Sequence, residues 1–178
     1  MSDNLENIFL RLGYALRELK KYQNTTIILG AGCSLSSTSR DISTTGIMKQ
    51  CLIEHNLPEN EVNSYTWETL YTNFINVVWE GKAKKERELL LKSKLLDVKP
   101  SGGHMFLRRL VENEFINTVI TTNFDMLLEN AFEGLSYYKR VGNDKYQIVG
   151  NAPSFSLLKV HGDLEEGSFR FAPHELMK

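Results

Sequence analysis

A chain of 178 residues with 42% apolar and 24% charged side chains is long enough to close one core without staples, and its composition excludes disordered, collagen-like and coiled-coil classes. Twenty-one basic against 22 acidic residues leave a formal net charge of -1, so no global field draws the chain onto nucleic acid or an anionic membrane. No apolar run approaches the roughly 18 residues of a membrane span, the start is acidic where a secretion signal is basic, and Cys33 and Cys51 form no Cys-x-x-Cys pair; the chain therefore reads as cytoplasmic, without a disulfide framework or a four-thiolate zinc site.

Asp3 suits the cap of an amphipathic helix over residues 3–22, with Leu5, Ile8, Phe9, Leu12, Ala15, Leu16 and Leu19 on one face. Thr25 to Leu29 is a short β-branched run that predicts a strand buried on both faces, and the turn Gly30-Ala31-Gly32-Cys33-Ser34 follows at once. Ser36 to Thr45 has no apolar period and reads as a loop or broken helix, after which Ile47, Met48, Cys51 and Leu52 resume helical spacing. Pro58 breaks that helix, Trp67, Leu70, Tyr71, Phe74, Val77 and Val78 mark the buried face of another, and Leu89 to Leu96 a third, which together make residues 45–98 a helical insert.

Beyond Pro100, Phe106, Leu107, Leu110 and Val111 predict a helix, and Phe115 to Thr121 a second buried strand. The polar turn Thr121-Thr122-Asn123-Phe124-Asp125 then opens a helix with Met126, Leu127, Leu128, Ala131 and Phe132 inward and Gly134 at its end. Tyr137 to Tyr146 reads as an exposed strand pair about Gly142-Asn143-Asp144, and Phe155 to Val160 as a last strand ending at His161-Gly162-Asp163. With no repeat or linker, residues 1–178 read as a single domain.

Helix and strand alternate as in an α/β fold with a parallel sheet, whose ligand sits beyond the carboxyl ends of the strands. Three such ends carry chemistry. In the first, glycine permits positive φ and close backbone approach to a phosphate, although position 35 is Leu35 where a dinucleotide fingerprint has glycine, and no P-loop lysine follows. In the second, Asn123 cannot exchange a proton but can hold a water or hydroxyl, unless it or Thr122 simply caps the helix starting at Phe124; Asp125 could likewise serve only that helix's positive end. In the third, His161 is the group able to exchange a proton near neutrality. His104 begins a helix and either packs or supports a site from behind, and Arg108-Arg109 reads as a solvated face.

In this order the motifs resemble the sirtuin and SIR2-like family of NAD-consuming enzymes. Gly30 to Ser34 match its Gly-Ala-Gly-x-Ser, Thr121 to Asp125 its Thr-x-Asn-x-Asp, and His161-Gly162 its His-Gly; Pro100 and His104 look like its Pro-x-x-x-His segment. The resemblance implies a Rossmann-like, doubly wound parallel sheet with the helical insert. It also implies catalytic roles for Asn123 and His161, and NAD contacts from Gly30, Ala31, Gly32, Cys33, Ser34, Thr121, Thr122, Asp125 and Gly162. Two departures point to a branch. There is no cysteine after His161-Gly162 to build the zinc module of protein deacylases, and the Gly-x-Pro-Asp-Phe-Arg loop is missing; Ser39-Arg40-Asp41 and Thr44-Thr45-Gly46 occupy that region.

The chain is thus similar to zinc-free bacterial SIR2-like NAD hydrolases of antiphage defence, which implies NAD as substrate, no zinc, homo-oligomers and a fused or separate sensor domain. Only residues 164–178 follow His161-Gly162-Asp163, where the family has further strands near the adenosine of NAD, so the resemblance implies a domain truncated at its C-terminal end. A binding or oligomerisation module without turnover, and a deacylase or ADP-ribosyl transferase, are the alternatives.

Overall fold

The computed structural model describes residues 11–166 apart from 12, 16, 19, 20, 22–24, 38–40, 96 and 145. Of the helix expected over 3–22, the described residues between 11 and 21 are helical, and the remainder lies outside the described residues, as do 167–178. Five strands form one sheet: β1 (Thr26–Leu29), β2 (Thr118–Thr121), β3 (Tyr137–Val141), β4 (Gln147–Val149) and β5 (Phe155–Lys159). Their spatial order is β1-β2-β5-β3-β4; every pairing is parallel except that of β3 with β4. The expected α/β architecture is present as a mixed, mainly parallel sheet flanked by helices.

Register fixes which side chains share a face. Ile27, Val119, Leu157, Lys139 and their neighbours two residues away lie on one side, and Ile28, Ile120, Leu158 and Arg140 on the other. The first side is covered by α5 (Gly102–Glu112) and α6 (Leu127–Ala131): Leu107, Val111 and Leu128 close over Val119, Leu157, Tyr137 and Phe155. On the second side Ile28 is 73% exposed, so β1 alternates where the sequence predicts burial on both faces. The reason is positional: among the described residues β1 is the edge strand, and its short apolar run cannot reveal which face the helices take. β3, expected to be exposed, instead lies between β5 and β4 with Tyr137, Lys139 and Val141 buried.

The helical segment between β1 and α5 builds its own core. α1 (Thr44–Glu54), α2 (Glu59–Ser64), α3 (Trp67–Asn73), a π-helical turn (Phe74–Trp79) and α4 (Lys84–Leu95) enclose Met48, Cys51, Leu52, Val62, Leu70, Phe74, Val78, Trp79 and Leu91. Pro58 precedes the first turn of α2, where its missing N–H costs nothing. The π turn explains one departure from the expected face: a wider turn advances the register, so Phe74, Val78 and Trp79 are buried while Val77 points outward. Trp67 also leaves the core, at 52% exposure, for reasons that belong to the site below.

α5 starts through reciprocal capping, in which His104 Nδ1 accepts from the Ser101 N–H at 3.2 Å and lies 2.8 Å from its hydroxyl. Arg108, expected in solvent, donates to the carbonyls of Ala131 (2.9 Å) and Glu133 (2.8 Å), tying α5 to the end of α6. Phe132 anchors this layer, edge-on to Phe155 at 4.9 Å and to Tyr137 at 6.1 Å. Phe132→Ala is expected to destabilise the fold by about 3–5 kcal/mol, read as a lower urea midpoint at unchanged slope.

Candidate functional site

Because β1, β2 and β5 are parallel neighbours, the segments after them emerge on one edge. That edge brings Gly30 to Ser34, Thr122 to Asp125 and Val160 to Asp163 together, as the sequence predicts. Ala31–Ser37 forms a 3-10 helix closed by the Cys33 N–H donating to the Gly30 carbonyl at 3.1 Å. Neither Gly30 nor Gly32 uses positive φ, which corrects the expected reason for the glycines. Openness is what Gly32 provides, since a Cβ there would meet nothing within 4 Å and its absence leaves free approach to the backbone, whereas a Cβ at Gly30 would lie 3.7 Å from Thr122 Oγ1. Gly162 does sit at φ 104, where a side chain would be strained, and so sets the turn that follows His161.

A polar relay joins the first two turns. Asn123 Nδ2 donates to Ser34 Oγ at 3.0 Å and lies within bonding distance of the Gly30 carbonyl (3.3 Å) and Cys33 Sγ (3.4 Å). Ser34 Oγ in turn donates to Asp125 Oδ2 at 2.9 Å, and Asp125 Oδ1 accepts from the Leu127 N–H at 3.0 Å. The helix begins at Leu127 with Met126 as its N-cap, so neither Thr122 nor Asn123 caps it, and Asp125 takes up the Leu127 N–H. The backbone N–H of Asn123 donates to the fully buried Thr121 Oγ1 at 3.0 Å, which fixes the turn from beneath. With its amide N–H groups engaged, Asn123 presents its carbonyl oxygen as the free acceptor. Burial pushes the Cys33 thiol up despite its contacts with Ser34 and Asn123, so it is a poor nucleophile.

Over this edge lies a cavity of about 450 Å³ lined by Ala31, Ser34, Thr122, Asn123, Asp125 and His161 from the strand ends. The helical segment supplies the facing wall, including Ile42, Ile47, Trp67 and Tyr71, the last two stacked with centroids 6.0 Å apart. That is why Trp67 is exposed. Among the described residues the cavity's lining holds one carboxylate and one imidazole, and no lysine or arginine. His161 stands on this wall half-buried. His104 is held on the far side of the Gly30–Ser34 turn with Cys33; burial lowers its pKa, partly opposed by Asp125. Among the described residues no cluster of three His, Cys, Asp or Glu could hold a metal ion, and no helix is long and apolar enough to cross a membrane.

Sequence reasoning missed the groups beneath the site. Lys159 and Lys139, 1% and 5% exposed, each face the same two carboxylates: Lys159 Nζ lies 2.8 Å from Glu129 and 2.9 Å from Asp163, and Lys139 Nζ 3.3 Å and 2.8 Å from them. Alternation could have found both lysines, since Tyr137-x-Lys139-x-Val141 and Phe155-x-Leu157-x-Lys159 put them in line with buried apolar positions. Asp163 Oδ1 also accepts from the N–H groups of Glu165 (2.7 Å) and Glu166 (3.1 Å). Burial alone would raise the Asp163 carboxyl, but Lys159 and Lys139 outweigh it and hold it far below the usual carboxylate range. Burial dominates at Glu129, which is raised despite the same two lysines.

A depressed native pKa at Asp163 adds stability above the unfolded carboxylate pKa of about 4 and loses it as pH falls through the native value. Asp163→Asn should therefore cost about 3–5 kcal/mol at pH 7 by leaving a lysine uncompensated, yet show a shallower acid limb below about pH 4 in denaturant melts.

Residues 117–176 match the family model of the SIR2-like domain, a stretch that takes in β2, α6, β3, β4, β5 and both the Asn123 and His161 motifs. No curated protein matches the chain. Gly30 to Ser34 precede the matched stretch, and the sheet pairing of β1 with β2 brings them to it. By that match residues 117–176 are similar to the SIR2-like domain, and the mainly parallel sheet flanked by helices is consistent with it.

Proposed function

We propose that the protein hydrolyses NAD at the bond between nicotinamide and ribose, releasing nicotinamide, ADP-ribose and a proton. The observation that carries this reading is that Asn123, Asp125 and His161 line one cavity at the carboxyl ends of parallel strands. Electrostatics add support: a lining with a carboxylate and an aromatic wall suits a ring that is cationic until the bond breaks. Such a leaving group departs as a neutral amine and needs no general acid, so one proton acceptor suffices where ordinary glycosidases use two carboxylates.

In this reading the turn Gly30 to Ser34 receives the pyrophosphate. The Asn123 oxygen orients water or a ribose hydroxyl, and Asp125, which keeps a lone pair on each oxygen beyond its bonds to Ser34 and Leu127, engages the nicotinamide amide. The attacking water forms the new C–O bond, the C–N bond breaks with its electron pair going to the ring, and the water proton passes to His161. Loss of NAD suits an effector domain of bacterial antiphage defence, acting as a homo-oligomer with a sensor domain.

Purified protein incubated with NAD is expected to yield nicotinamide and ADP-ribose in equal amounts. Asn123→Ala and His161→Ala should each slow release by about 100- to 10,000-fold at unchanged circular dichroism. Tight NAD binding without product would move the reading to a sensing module, and one tightly held zinc per chain by elemental analysis would move it to a deacylase.

A further inference from the structure

We infer that Lys159 is a positioning residue for the segment that carries Asn123 and Asp125, an inference that rests on the proposed roles of those two residues. The two buried lysines are near-equivalents as ions, since both face Glu129 and Asp163 at 2.8–3.3 Å. They differ in one respect. Lys159 Nζ also donates to the Asp125 carbonyl at 2.5 Å and lies 3.5 Å from that of Phe124, whereas among the described residues the partners of Lys139 Nζ are carboxylates.

Lys159 Nζ donates to Glu129 Oε1 at 2.8 Å and to the Asp125 carbonyl, and pairs as an ion with Asp163 at 2.9 Å. Residues 122–126 join β2 to α6; the Thr122 N–H still donates to the Leu29 carbonyl of β1 at 3.1 Å and the Met126 carbonyl accepts from the Asn130 N–H at 2.9 Å, which leaves 123–125 as the part outside both ladders. The Val160 N–H bonds the Thr121 carbonyl of β2 just before them, and among the described residues their own ties to the His161 strand end are the Leu164 N–H to the Phe124 carbonyl, at 2.9 Å, and Lys159. Of these only Lys159 grips Asp125 itself, the residue whose carboxylate receives Ser34 and, through Ser34, the Asn123 amide. Lys159 is two positions from His161, so one ammonium couples the placement of the amide wall to that of the imidazole. A displacement of about 1 Å in such groups can cost about 100-fold in rate.

Two double variants separate positioning from charge balance. Lys159→Met with Glu129→Gln leaves Lys139 against Asp163, and Lys139→Met with Glu129→Gln leaves Lys159 against Asp163; both are neutral clusters, but only the second keeps the Asp125 carbonyl bonded. The first is expected to lower kcat for nicotinamide release about 100-fold with KM for NAD changed by less than about threefold, and the second to stay within about threefold of the wild type in both. Amide hydrogen exchange over residues 122–127 should quicken in the first variant alone. Equal kcat and equal exchange in the two variants would overturn the inference and leave Lys159 a structural ion. If the wild type releases no nicotinamide, the proposed hydrolysis fails, and the exchange comparison still decides whether Lys159 positions this segment.

Discussion

Two lysines and two carboxylates, alternating in charge and shut away from water, hold the parts of this protein that must meet. Lys139 comes from β3, Lys159 from β5, Glu129 from α6 and Asp163 from the turn after His161, so one cluster fixes α6 and β3 to the end of β5 and the turn that follows it. Removing an ion of this kind from water costs several kcal/mol, which is recovered only if every partner is in place. Such a cluster therefore penalises any packing of α6 or of the His161 turn that leaves a charge alone. It specifies an arrangement more than it stabilises one.

Above the cluster, the chemistry is laid out by strand order. Parallel strands point their carboxyl ends the same way, and with β1, β2 and β5 side by side the turns after them must touch. The Asn123–Ser34–Asp125 relay is the consequence at atomic scale: one hydroxyl accepts from an amide and donates to a carboxylate, satisfying all three groups while leaving the amide oxygen and the outer lone pairs of the carboxylate to a ligand. The helical segment contributes the facing wall through Trp67 and Tyr71, while its other side chains close a separate core. Its helices are thus anchored by their own apolar contacts, and Ile47 and Tyr71 serve both that core and the cavity wall.

Much of this was legible in one sequence because the signals were local. Three strand ends bearing glycine, amide and imidazole groups, the helix between β2 and β3, and the turn about Gly142 each follow from period, cap or turn chemistry within a few residues. Where local patterns misled, the cause was a neighbour or a helix geometry the pattern does not contain. Ile28 is exposed because β1 is the edge strand among the described residues, Val77 turns outward because a π turn shifts the helix face, and Trp67 leaves the core to face the cavity.

By itself the sequence determined the class of fold, the order of the loaded turns and the residue types available for chemistry, since backbone preference, apolar period and side-chain acidity are properties of residues and their near neighbours. The tertiary structure alone decided that β5 lies between β2 and β3, that Asn123 donates to Ser34 and presents its oxygen, and that Lys139 and Lys159 are buried against Glu129 and Asp163. A buried charge is tolerable only when its partners arrive from elsewhere in the chain, and no local pattern records that arrival.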